Sequence, residues 1–434
     1  DTKYHDPLEG EVDISPLDIL QMLGRAGRPG YDDVGYGWVV CDRSDADKYR
    51  RLLREGKEIE SRLAEDLDSH LNAEIAMGTI GDLEDVMSWL RTTFYYQRAR
   101  SKPDRYDFDG LRDRVRETLE TLVARGFVEM GEDLSIEATR LGRLASKYYL
   151  RLDTARRFAS LTERDTITDD SILEAVAGAA EFHDVSARQS EVDAVDSVLT
   201  GVQTTLEDGP RKVLAILHAG MSNSTPSDLR SDAWIIRQNA LRLLSALREF
   251  LDAFAGPRAA NLARRVEARV EHGVSRDAVA LTAVDGIGPN RASKLATGGL
   301  RSPRDVVEAG TAELTRAGLS DGVARQVVQN ARAHPDVDIV WGDFPDSIAT
   351  GENQMCEVRV RNRAGGAAVG VRVTAVAGDN EAEMTTKRTY LSDETSVHVG
   401  VFGAPADEVT YRVEVTFPDD PLHPVTETRT VRVD

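Results

Sequence analysis

Gln21-Met22-Leu23-Gly24-Arg25-Ala26-Gly27-Arg28-Pro29-Gly30 is the stretch on which the reading of this 434-residue chain turns. On a helix, residues three and four apart are neighbours, so Gln21, Arg25 and Arg28 share one face. Guanidinium forks pair bidentately with phosphate oxygens and stay charged at any working pH. Two of them beside a glutamine suit a triphosphate. The helix begins at Ser15-Pro16-Leu17-Asp18, with Ser as N-cap, Pro in the first turn and Asp three residues after the cap. It is predicted to run to about Ala26, where Gly27, Pro29 and Gly30 stop it. Gly37-Trp38-Val39-Val40-Cys41 then reads as a short buried strand. One helix and one strand cannot bury a core, so residues 1–48 are expected to be the end of a larger α/β domain or to lean on another chain.

The length suits roughly three or four domains of ~100–150 residues. No run of ~18 apolar residues suggests a membrane span, and Asp1-Thr2-Lys3-Tyr4-His5-Asp6 does not resemble a signal peptide. Cys41 and Cys356 form neither a disulfide framework nor a metal spacing, and the eight histidines form no ligand cluster. The expected location is cytoplasmic, with no metal site. The net charge is −20, and of the 54 basic residues eight are Lys, leaving 46 Arg. This acidic, Arg-rich, aromatic-poor composition is similar to that of haloarchaeal proteins. In molar salt the Debye length is only ~3 Å, so distant carboxylates barely repel phosphate. Counterion release also gives little there. A nucleic-acid binder of this kind would depend on stacking, backbone amides and bidentate Arg contacts.

Beyond residue 48 the pattern is mainly helical. Residues 49–150 carry an amphipathic helix at Leu111 to Arg125, then Gly126-Phe127-Val128-Glu129-Met130 and a return strand near Leu134-Ser135-Ile136. Helices followed by a small hairpin suggest a winged helix. Residues 151–256 read as a helical bundle and 257–335 as a second helical unit. From 336 to 434 the period switches to two, as in Cys356 to Arg361, Val369 to Val376 and Val409 to Phe417, which suggests an immunoglobulin-like β-sandwich. The expected fold class is multidomain and mainly α, with a remnant of an α/β domain at the N-terminus and the sandwich at the C-terminus.

Two further constellations point to nucleic acid. In the helix that follows Thr225-Pro226-Ser227-Asp228, Leu229, Ile236, Ala240, Leu243, Leu247, Leu251 and Phe254 form one stripe at 100° per residue, and Trp234 lies roughly 150° from its centre. Trp234 shares its side with Arg230, Arg237 and Arg248, an arrangement that suits base stacking. Packing of Trp234 against a neighbouring helix is the competing reading. In Leu281 to Leu295, two helices flank Gly286-Ile287-Gly288, whose glycines let the backbone turn tightly and present N–H groups to a phosphate. The next helix N-terminus adds a favourable dipole, and Asn290, Arg291 and Lys294 lie in its first turns. This is a helix-hairpin-helix pattern, and Ala317 to Gly322 reads as a degenerate second copy. The motif also serves in packing domains together. The run Phe94-Tyr95-Tyr96-Gln97-Arg98-Ala99-Arg100-Ser101-Lys102 is read as a packing surface in preference to a nucleic-acid contact.

The opening stretch resembles motif VI of superfamily-two helicases. Leu71-Asn72-Ala73-Glu74-Ile75, Trp89-Leu90, Thr93-Phe94 and Thr139 to Arg143 resemble the winged-helix region of Ski-like DExH helicases. Glu181-Phe182, Val185, Arg188, Glu191, Arg211 to Leu217, Ser231-Asp232 and Gln238-Asn239-Ala240 resemble the Sec63 homology region. The resemblance implies that residues 1–48 are the end of a second RecA-like domain. It implies that Arg25 and Arg28 approach a γ-phosphate, with Gln21 near the attacking water; either arginine could be the principal finger, and Arg28 is favoured. Such fingers stabilise charge developing on the transferred phosphoryl group. The helix bearing Trp234 corresponds to the ratchet helix that tracks a translocating strand.

No G-x-x-x-x-G-K-[ST] phosphate loop and no DExH box occurs in the chain. ATP and magnesium are therefore expected only in the intact enzyme, with none bound by this chain alone. The implied partners are single-stranded or forked nucleic acid, with DNA favoured over RNA, and the missing N-terminal RecA-like lobes in cis or in trans. A protein partner on the sandwich is also implied, and no membrane. The alternative is a non-catalytic nucleic-acid-binding or scaffolding protein built from helicase parts.

Overall fold

The computed structural model describes residues 2–6, 10–27, 34–56 and 58–434. The chain divides into two compact units, Asp1–His70 with Leu83–Thr118 and Leu71–Asp82 with Leu119–Asp434.

In the first unit, β1 (Lys3–Asp6) pairs antiparallel with β2 (Gly10–Asp13). Ile19 of helix Pro16–Leu23 packs with Tyr49 and Leu52 of helix Ala46–Glu55, and Val39 and Cys41 lie against them. Two expectations need correction here. The first helix ends at Leu23, not Ala26. The amides of Arg25 and Ala26 turn back three residues, to the carbonyls of Met22 and Leu23, and Gly27 adopts a positive φ of 83°. Two glycines in four residues favour this early stop. Gly37–Cys41 is not a strand. A strand needs a partner to receive its ladder bonds, and no described segment pairs with this one. Trp38 and Val40 are exposed. Arg28 lies outside the described residues.

Farther along this unit, helix Phe94–Ser101 is N-capped by Thr93, which accepts from the amide of Tyr96. Its Arg98, with Lys102 and Arg105 just beyond the helix, faces two glutamates. Arg98 lies 2.6 Å from Glu58 and 3.0 Å from Glu60, Arg105 lies 2.9 Å from Glu60, and Lys102 and the Tyr106 hydroxyl complete the cluster. Within the basic-aromatic run, Arg98 and Lys102 are thus engaged by these acids, while Phe94 and Arg100 are exposed.

In the second unit a short hairpin, β3 (Val128–Met130) and β4 (Ile136–Ala138), leads into helix Arg140–Lys147. Thr139 caps this helix by accepting from the amide of Gly142, and the buried Asn72 donates to the Gly142 carbonyl at 3.0 Å. Helices Leu152–Thr162, Asp169–Ala177, Val192–Val198, Asp208–Met221, Arg230–Phe254 and Pro257–His272 follow. Glu181 ties two of these segments together: it accepts from the Arg151 amide at 3.0 Å and from the Thr154 hydroxyl.

Next come the 3-10 turn Val279–Ala283 and helices Pro289–Thr297, Pro303–Arg316 and Asp321–Ala331. They share one core that includes Val284, Ile287, Leu295, Val306, Leu314 and Val327.

The remaining strands are β5 (Val337–Trp341), β6 (Ser347–Ile348), β7 (Asn353–Asn362), β8 (Ala367–Ala377), β9 (Asn380–Leu391), β10 (Glu394–Phe402), β11 (Glu408–Thr416) and β12 (Val425–Val433). They form two sheets, ordered β10-β7-β5 and β6-β12-β11-β8-β9, antiparallel except for β12 with β6. Alternate residues such as Val409, Tyr411, Val413 and Val415 turn inward, as period two demands. Both sheets contribute to one core. Helix Pro257–His272 abuts them. Its fully buried Asn261 donates to the carbonyls of Phe417, Asp420 and Leu422 at 2.7, 3.1 and 3.1 Å. Among the described residues no helix is long and apolar enough to cross a membrane.

Candidate nucleic-acid interface

The long helix Arg230–Phe254 has two characters. Its C-terminal half is enclosed, with Leu243, Leu244, Leu247, Phe250 and Leu251 all out of solvent. Its N-terminal half buries only Ile236 and Ala240, and Trp234 is 67% exposed. Trp234, Gln238 and Arg242 are successive i, i+4 neighbours, all exposed, and form one open row. Arg230 is also exposed at its start. Arg237 is not part of this row: it is half-buried, its side chain lies near Gly220 on helix Asp208–Met221, and its Nε is buried without a partner. The periodicity therefore places Trp234 outside the core stripe correctly. It groups Arg237 with Trp234 wrongly, because Arg237, ~60° from Trp234 on the wheel, lies on the side where the neighbouring helix packs. A 3-10 turn, Ser227–Leu229, starts the helix in place of a side-chain cap.

A buried ion cluster holds that open end. Lys212, 1% exposed, lies 2.8 Å from Glu191, also 1% exposed, and 2.6 Å from Asp232 in the first turn of the long helix. Its third donor reaches the Ser186 carbonyl at 3.2 Å. The buried ammonium thus has two hydrogen bonds and an ion pair in place of water, as a buried cation requires. The Lys212 ammonium keeps the Asp232 carboxyl below the ordinary carboxylate range, with help from Ser231 and Arg188. The Arg188 backbone amide donates to Glu191 at 2.8 Å. Lys212 sits in an apolar run, Val213 to Leu217, a position that marks a buried lysine but does not reveal its partners.

In the first hairpin, Gly286 has φ 91°, where a side chain would also press on Val327. Gly286, Gly288, Asn290, Arg291 and Lys294 are exposed. Ile287 is not: its side chain is 4% exposed in the core, and its amide donates to the Val284 carbonyl at 3.0 Å. It shapes the turn and offers no contact of its own. Arg291 donates to the Gly286 carbonyl at 2.6 Å, which fixes its guanidinium over the turn. Gly318, at φ 95°, makes the matching turn before helix Asp321–Ala331, and the Lys294 ammonium comes close to it. A groove of about 620 Å³, lined by His218, Arg269, Arg276, Ser293 and Arg301 among others, runs from helix Asp208–Met221 to helix Pro289–Thr297. Asp169 pairs with Arg269 and Arg276 at 2.6 and 2.8 Å. Burial lowers the pKa of His218.

In the first unit, Gln21 and Arg25 open onto one depression of about 780 Å³ with Asp13, Ser15, Asp18 and Met22. Lys48, bonded at 2.5 Å, keeps the Asp13 carboxyl below its usual range. Arg25 is exposed, and no carboxylate of the described residues pairs with it.

Residues 138–427 match the Sec63 Brl domain model. The chain belongs to the Sec63 Brl domain family. Residues 60–138 match a Winged Helix-turn-helix domain. Over 260 residues the chain is 30% identical to human Activating signal cointegrator 1 complex subunit 3, covering 55% of this chain and 12% of that protein. It is 32% identical to the DExH-box ATP-dependent RNA helicase DExH14 of Arabidopsis thaliana over 263 residues, 57% of this chain and 12% of that one. It is 34% identical to the Probable ATP-dependent DNA helicase HFM1 of Mus musculus over 189 residues, 41% and 13%. The matched stretch thus spans about an eighth of these relatives' length. Among solved structures, the CARDB domain of PF1109 from Pyrococcus furiosus is 19% identical over 23% of this chain and 89% of that one, with a TM-score of 0.18, too low to bear on the fold.

Within the Sec63 Brl region the structure brings together four of the residues that carried the family resemblance: Arg188 and Asp232 flank the buried pair of Glu191 and Lys212. Gln238 and Arg242 are exposed neighbours of Trp234 that the hydrophobic stripe alone did not mark. The i, i+4 spacing from Trp234 was the signal for them.

Proposed function

We propose that this chain is the C-terminal part of an ATP-dependent nucleic-acid helicase, and that the Sec63 Brl region holds the strand, with DNA preferred over RNA. The observation that carries the reading is a bare tryptophan on the polar row of a helix otherwise built for burial, in a family whose relatives are helicases. Trp234 stacks on a base, Arg230, Gln238 and Arg242 hold the flanking backbone, and Gly286, Gly288, Asn290, Arg291 and Lys294 contact phosphates farther along. The Arg-lined groove leads toward that hairpin. Stacking is worth ~1–3 kcal/mol per base and resists salt better than phosphate pairing, which suits an acidic chain.

Residues 1–48 are assigned to the end of a RecA-like domain and residues 336–434 to an immunoglobulin-like sandwich that receives a protein partner. Gln21, Arg25 and Arg28 would face the phosphates of ATP held by another lobe. The exposed guanidinium of Arg25 fits that task. ATP with magnesium would supply the free energy of phosphoryl transfer. The test is titration of the chain with labelled single- and double-stranded DNA and RNA, in potassium chloride from low to molar concentration. Single-stranded DNA should bind best, and Trp234→Ala should weaken it about 5- to 150-fold at high salt. Binding unchanged by that substitution would refute the assignment.

A further inference from the structure

We infer that Tyr149 is a second stacking side chain for single-stranded nucleic acid, placed at the far end of the row that begins with Trp234. The inference rests on the reading of Trp234 as a strand contact. Helix Arg140–Lys147 closes with the Tyr149 amide on the Ser146 carbonyl at 3.1 Å and the Leu150 amide on the Ala145 carbonyl at 3.0 Å. That closure puts Tyr149 in the left-handed region at φ 51°. Glycine or asparagine ordinarily takes this post, since a side chain there is strained. Among the described residues the bulkiest non-glycine at positive φ stands at this point, and it is 89% exposed. It therefore receives almost no burial in return for the strain, the pattern expected where backbone strain serves a site.

The location supplies the ligand class. Arg242, last in the Trp234–Gln238–Arg242 row, donates from Nη1 to the carbonyl of Tyr148 at 3.1 Å. The loop carrying Tyr149 is thus pinned to the row, ~12 Å along the helix axis from Trp234 at 1.5 Å per residue. Between the two rings stand an amide and a guanidinium; Lys147 has its ammonium 4.9 Å from the Tyr148 ring centroid and 3.4 Å from Glu249. Two open aromatic rings separated by polar and cationic groups suit consecutive bases of an unpaired strand with its backbone between them.

Three substitutions test this. Tyr149→Gly removes the ring and relieves the left-handed strain, so hydrogen-exchange protection of helix Arg140–Lys147 should hold or rise while affinity for fluorescein-labelled oligothymidylate in molar potassium chloride falls about 5- to 150-fold. Tyr149→Leu keeps the strain without the π-face and should lose affinity to the same degree. Tyr149→Phe should bind as the parent does. If the Gly and Leu variants bind as tightly as the parent while Trp234→Ala does not, the inference is overturned and the reading of Trp234 stands. If none of the three, nor Trp234→Ala, alters binding, the reading itself fails and Tyr149 with it.

Discussion

Lys212→Met separates two accounts of the buried cluster: a device that fixes the open end of the long helix, or an incidental ion pair. Methionine fills nearly the same volume, so packing is largely conserved. The ammonium that faces Glu191 at 2.8 Å and Asp232 at 2.6 Å is lost. The consequences for the two acids differ. Asp232 is 28% exposed and can turn to water, so Asp232→Asn should cost about 1 kcal/mol. Glu191 is 1% exposed and keeps only the Arg188 amide at 2.8 Å and the Arg188 guanidinium 3.8 Å away. Removing one partner of a buried pair costs about 3–5 kcal/mol, chiefly through the charge left behind. Lys212→Met should therefore fall near 4 kcal/mol, and adding Glu191→Leu should recover most of it, a coupling visible in a double-mutant cycle. A chain of several units does not unfold in one step, so the measurement is native-state hydrogen exchange of helix Asp208–Met221, which reports local opening free energies. A cost below about 1 kcal/mol for Lys212→Met, or an equal cost for Asp232→Asn, would refute the account.

Two further outcomes follow from the geometry. The Tyr106 hydroxyl, ahead of Arg98 and Arg105, holds the Glu60 carboxyl down to about 2 from an ordinary 4.5. The folded value is depressed, so its stabilising effect is full above pH 4.5 and lost as pH falls through about 2. Tyr106→Phe should raise the midpoint seen in a carbon-13 carboxyl titration, and an unmoved midpoint would remove Tyr106 from the cause. Asn261→Leu strands three carbonyls, those of Phe417, Asp420 and Leu422, and should cost the two-sheet region about 1–3 kcal/mol, read as faster proteolysis after residue 336. Resistance equal to the parent's would contradict it.

Much of this architecture was legible because its signals are local. Period two in Val409 to Phe417 and the Gly286-Ile287-Gly288 turn each specify their element with few neighbours required. The Trp234 side of the long helix was legible for the same reason. What escaped depends on partners remote in sequence. Gly37–Cys41 has a strand's composition, yet a strand exists only through its ladder. Arg25 was expected on a helical face, but Gly24 and Gly27 end the helix before it. Ile287 was grouped with the exposed glycines because it stands between them, whereas the turn sends its side chain into the hairpin core. Arg237 differs from Arg230 only by the neighbour it meets, and the helical wheel holds no neighbours. The short N-terminal hairpin of β1 and β2 gave no sign in a stretch rich in charged residues.

Asn261 has a mechanical consequence. One amide fastens three carbonyls at the edge of the sheets to a helix that lies alongside the one bearing Trp234. Arg388 of β9 adds a second rivet, 2.6 Å from Asp252 near that helix's end. A pull on the terminal sheets is therefore passed to the helix bearing Trp234 through fixed polar contacts, with no slack tether between.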